Sequence, residues 1–111
     1  MSAAVAPAPI QDTLAERGSR YGVYTGHAQI TQGIKNVMQF SPTSKWNGLS
    51  DDQKETLDMI AHKMGRILNG DPDYHDSWHD IVGYATLTAD EILRKQTPVV
   101  ITVSNGIKTR K

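Results

Sequence analysis

The sequence predicts an all-α fold, a helical bundle built around a central antiparallel helix hairpin. Three observations carry this expectation. Apolar residues recur at three- and four-residue spacing through most of residues 26–95. Two Ser/Thr-x-x-Glu/Gln patterns, Thr13–Glu16 and Ser50–Gln53, have the form of helix capping boxes. The β-branched run VVITV stands only after Pro98, where a short C-terminal strand is the expectation.

The first helix is expected to open at the Thr13–Glu16 box and to end near Gly18. RYGVYTGH then forms a Gly- and Tyr-rich connection. Ile30, Ile34, Val37 and Met38 share helical spacing, which predicts a second helix over about 26–40. SPTSKWNG is a loop from which Trp46 folds back onto the core. The third helix starts at Ser50, with Asp51 and Asp52 suited to the positive helix start. Its stripe is Leu57, Ile60, Ala61, Met64, Ile67 and Leu68. Asn69-Gly70 is expected to supply a left-handed stop, and Pro72 prevents continuation. The fourth helix runs over about 73–95, with Trp78, Ile81, Val82, Ala85, Ala89, Ile92 and Leu93 as its core stripe. The short turn makes helices three and four a hairpin. Residues 1–10 are expected to be a flexible leader, 11–96 the helical domain, and 97–111 a tail with strand-forming composition.

Composition narrows the function classes. Twelve basic residues balance twelve acidic ones, so nothing global calls for nucleic acid or an anionic membrane. The chain has no cysteine, which excludes disulfides, thiolate metal sites and cysteine nucleophiles. No apolar run is long enough to span a bilayer. MSAAVAPAP lacks the charged and apolar regions of a signal peptide, so a cytoplasmic location is expected.

The chemistry concentrates between His62 and Leu87. Asp76 and Asp80 are four apart, so both carboxylates can point the same way from the fourth helix. Gly83, Tyr84 and Leu87 share that side, which suits a covered face rather than a solvated one. His62, Lys63 and Arg66 rise from the third helix, where Arg and Lys suit phosphate oxygens. The connection before the second helix adds Arg17, Arg20, Tyr21, Tyr24 and His27. Here Tyr21 or Tyr24 can stack on a base and Arg20 can hold phosphate. A solvated or structural face explains each group taken singly. A phosphorylated ligand, with or without magnesium, explains them together.

Taken over Leu14 to Leu93, the combination of RYG, MIAHK, RILNGDP and DSWHDIVGYA resembles a family of small phage and prophage proteins. A more distant likeness is to the all-α MazG-like and dimeric-dUTPase-like nucleotide pyrophosphohydrolases. That likeness implies Asp76 and Asp80 as metal ligands, with Lys63 and Arg66 near phosphate; in the enzymatic version of the reading Glu55, Asp76 and Asp80 organise Mg²⁺ and form the catalytic set. The full set expected to face a nucleotide-like ligand is Arg20, Tyr21, His62, Lys63, Arg66 and Tyr84. The carboxylate spacing departs from the ExxE and ExxD helices of that group: Glu55 and Asp58 lie on one helix, Asp76 and Asp80 on the next. The leading reading is a phage protein that binds, and in its enzymatic version hydrolyses, a nucleotide. The alternatives are a non-catalytic sponge that sequesters a host defence signal, and an oligomeric interaction protein. Self-association is expected in all three, because one short chain has few helices with which to cover both faces of the fourth.

Overall fold

The computed structural model describes residues 9–98, 100–101 and 108–109. The chain is all-α, with helices α1 (Ile10–Tyr21), α2 (Tyr24–Phe40), α3 (Asp51–Asn69) and α4 (His75–Gln96). A single 3₁₀ turn over Trp46–Gly48 leads into α3. Most of the expected leader, residues 1–8, lies outside the described residues. In the tail, β1 (Val100–Ile101) pairs antiparallel with β2 (Lys108–Thr109), with Val100 opposite Thr109.

Capping explains where α3 begins. The Ser50 hydroxyl accepts the Gln53 N–H at 3.1 Å, and the Gln53 side chain accepts the Ser50 N–H at 2.9 Å, the reciprocal box expected. The Thr13–Glu16 box does not form. α1 begins three residues earlier, after Pro9, and Thr13 already donates its N–H to the Pro9 carbonyl. The helix also continues through Gly18 to Tyr21.

α3 is the centre of the molecule. It packs against α2 on one side and α4 on the other, with α1 beside α2, so two helix hairpins share one helix. The α3–α4 hairpin turns at residues 70–74, as expected. The stop is not left-handed, however. Gly70 has φ −130° and ψ −133°, and it lies against the backbone of Arg20 and Tyr21, with the Asp71 N–H donating to the Arg20 carbonyl at 2.8 Å. What this position needs is closeness to α1.

The core is thin. Among the described residues only Ala61 and Ile67 are buried apolar side chains; Ile60 and Trp46 are half-buried. The α3–α4 contact is largely polar: Thr56 and Thr88 hydroxyls hydrogen-bond across it, Lys63 meets Asp80, and Ser77 is buried. Of the expected α4 stripe, Ile81 and Ile92 are half-buried. Trp78, placed in the core by periodicity, is 51% exposed, its indole N–H donating to the Pro72 carbonyl at 2.8 Å. Val82, Ala85, Ala89 and Leu93 are exposed with it.

Candidate functional site

The turn between α1 and α2 is clamped onto the end of α3. The Asn69 side-chain amide donates to the Tyr21 and Val23 carbonyls, each at 2.8 Å. Gly22 makes that approach feasible. Its φ of 79° lies where L side chains rarely go, and a Cβ there would strike Asn69. The clamp sets Tyr21 against the last turns of α3, where the Arg66 guanidinium lies 4.0 Å from the Tyr21 ring centroid.

A cavity of about 320 Å³ opens between α1, α2 and α3. Arg17, Tyr21, Tyr24, His27, His62 and Arg66 supply its polar and aromatic groups, and Leu14 and Val23 part of its apolar wall. Among the described residues no acidic side chain lines it. Neither Arg17 nor Arg66 forms an ion pair with a carboxylate among the described residues. His27 and His62 meet edge to face, centroids 4.7 Å apart. Burial, and then Arg66, push the His62 imidazole down to about 4; burial lowers His27 as well. The His62 imidazole is therefore neutral at pH 7, a hydrogen-bonding rather than a charged group. Close helix contact holds this floor together: a Cβ on Gly65 would run into His27 and Thr31. His27 Nδ1 and Thr31 Oγ1 are buried there without a hydrogen-bond partner among the described residues.

The sequence-predicted residues divide between two faces of α3. Tyr21, His62 and Arg66 gather in the cavity. Arg20 stands outside it, paired with Glu16 at 3.1 Å and 4.5 Å from the Tyr74 ring centroid. Lys63 and Tyr84 lie on the α4 side. There the Lys63 ammonium contacts Asp80 at 2.9 Å, and Asp80 and Tyr84 line a shallow depression with His79, Gly83 and Leu87. The hydrogen bond from Lys63 holds Asp80 below its usual value.

The three carboxylates assigned to magnesium do not converge. Asp76 accepts the Tyr74 hydroxyl at 3.0 Å, and Asp80 is taken by Lys63. Glu55 lies eight residues before Lys63 on α3, about 12 Å along the axis. Among the described residues no three His, Cys, Asp or Glu side chains cluster as metal ligands. As placed, this donor set does not fit a magnesium centre.

Arg17, Tyr24 and His27, which the sequence offered as part of a bending segment with Tyr24 as one of two stacking candidates, also line the cavity. Their shared signal is Gly18, Gly22 and Gly26 at four-residue spacing around them. Asn69, which holds the cavity's shape, had no signal beyond a helix stop. No helix among the described residues is long and apolar enough to cross a membrane. Comparison of the chain with family models, curated proteins and solved structures gives no match.

Proposed function

We propose that the chain binds a mononucleotide-like ligand, an aromatic ring carrying a phosphate, in the α1–α2–α3 cavity and does so without metal-dependent turnover. One observation carries this reading: among the described residues the cavity holds two arginines that form no ion pair with a carboxylate, and no acidic side chain. Such a site favours an anion and offers a divalent cation no ligand set. Tyr21, Tyr24 and the imidazoles supply stacking faces and hydrogen bonds for a base. The volume of about 320 Å³ is near the lower end of the roughly 300–1,000 Å³ typical of ligand pockets, which suits one nucleotide rather than a dinucleotide. In this reading a phage-encoded protein in the host cytoplasm would act as a sponge for a nucleotide signal. We propose self-association as well, from the apolar residues α4 leaves exposed.

Calorimetry with nucleoside mono-, di- and triphosphates, in EDTA and in Mg²⁺, tests the ligand. Binding should occur in EDTA, disappear in Arg66→Ala, and yield no product. Failure of every nucleotide to bind contradicts the reading. Mg²⁺-dependent product formation supports instead the hydrolase built on Glu55, Asp76 and Asp80.

A further inference from the structure

The chain's four histidines form two ring pairs in different parts of the fold. His27 and His62 meet in the cavity beside Arg66, where burial and positive charge disfavour any cation. His75 and His79 stand four residues apart at the start of α4, both exposed, with ring centroids 5.6 Å apart and ring planes at 29°. Among the described residues neither of these two imidazoles is hydrogen-bonded or ion-paired. We propose that His75 and His79 form a two-nitrogen chelate for a divalent transition-metal ion of the Cu²⁺, Ni²⁺ and Zn²⁺ class, with water in its remaining positions. This site is separate from the nucleotide cavity and does not rest on it.

Three features carry the assignment. The first is geometry. Two histidines at this spacing share one helix face, the arrangement by which helical zinc sites take two of their ligands. An ion about 2.0–2.1 Å from one nitrogen of each ring, at a near-tetrahedral angle, sets the ring centres about 5 Å apart. The observed 5.6 Å is close to that, and small rotations of two exposed side chains supply the rest. The second is charge. Residues 71–80 hold four aspartates and no lysine or arginine. Lys63 reaches Asp80 from α3, but Asp71, Asp73 and Asp76 form no ion pair among the described residues, and Asp76 in the first turn offsets the positive helix start. The third is local structure. α4 begins at Tyr74 without a side-chain cap, and an ion bridging residues 75 and 79 closes its first turn. Among the described residues no third His, Asp or Glu converges with the pair, which leaves the other positions to water. Imidazole nitrogen suits copper, nickel and zinc, whereas Mg²⁺ takes oxygen ligands.

Calorimetric titration of Cu²⁺ and of Zn²⁺ into the full chain, in a non-chelating buffer, tests this. The parent should bind one ion per chain, Cu²⁺ more tightly than Zn²⁺. His75→Ala and His79→Ala should each weaken binding at least about tenfold, no less than the loss of an outer-shell partner typically costs. Both positions are exposed, so both variants should keep the parent's helical circular dichroism. His62→Gln, in the cavity pair, should bind the ion as the parent does. The electron paramagnetic resonance of the Cu²⁺ form should show two nitrogen ligands, and one in His79→Ala. Saturating Zn²⁺ should raise the Tm of the parent and not that of His79→Ala. A parent that binds neither ion overturns the proposal, as does binding that persists in both alanine variants. Binding lost in His62→Gln but kept in His79→Ala moves the ion to the cavity and overturns it too. Nucleotide binding is read in EDTA, so neither result decides the other.

Discussion

The two flanks of α3 handle charge in opposite ways. On the α4 flank, Lys63 is almost fully buried and its ammonium is matched by Asp80. On the α1–α2 flank, Arg66 is stacked on Tyr21 and forms no ion pair with a carboxylate among the described residues, feeling Asp80 only at longer range, and Arg17 shares its cavity. The same helix thus carries a cation whose partner is supplied by the fold and another whose partner is not. A buried charge must be matched, so Lys63 is explained by structure alone. Arg66 leaves capacity for an outside anion. Two cationic side chains three residues apart in sequence need not share a ligand when their helix is packed on both sides.

The largest expected effect sharpens this contrast. Arg66→Ala should weaken nucleotide binding by about 2–5 kcal/mol, the usual cost of removing one side of a desolvated charged contact. Asp80→Asn should leave binding unchanged in the folded protein. Its cost should appear in chemical denaturation instead, as about 1–2 kcal/mol, because Lys63 loses its carboxylate while the half-exposed Asp80 side of the pair stays hydrated. Lys63→Met should cost less than Asp80→Asn, since it leaves a carboxylate near water rather than an ammonium inside.

Gly65→Ala should cost about 1–3 kcal/mol by overpacking the α2–α3 contact at His27 and Thr31, and should disturb the cavity with it. Acid should act on the same flank. The His62 imidazole ordinarily takes up a proton near 6.5, but in the folded chain only near 4. The unfolded chain therefore binds more protons across that window, and stability should fall as pH drops from about 6.5 to about 4. Denaturation midpoints measured through this range should show a shallower slope in His62→Gln. The smallest effect belongs to Trp78. Trp78→Ala should cost under about 1 kcal/mol in chemical denaturation rather than the roughly 3–5 of a core tryptophan.

The helices were legible where local signals decide them. Ser50–Gln53 fixed the start of α3, and Asn69 to Pro72 located the hairpin turn. Thr13–Glu16 misled because Pro9 started α1 earlier. The packing of α4 was misread for a physical reason. Apolar periodicity identifies a face that needs cover, but it does not say that the same chain supplies it. Here α3 takes the polar face, through Thr88, Asp80 and Ser77, and the apolar stripe is left outside. Of the expected site residues, only some share one cavity. Tyr21, His62 and Arg66 do meet, but Lys63, Asp76 and Asp80 are engaged elsewhere in the fold. Spacing along two helices could not reveal that His62 and Lys63, adjacent in sequence, open onto opposite flanks of α3.

The central claim is that the unpaired cation, and not the carboxylates, marks the ligand site. Titration of one nucleoside monophosphate in EDTA into the parent, Arg66→Ala and Asp80→Asn tests it most directly. The account predicts equal affinity for the parent and Asp80→Asn and at least about tenfold weaker binding for Arg66→Ala, a loss of at least about 1.4 kcal/mol. Binding that survives in Arg66→Ala but is lost in Asp80→Asn, or that requires Mg²⁺ in the parent, would contradict it.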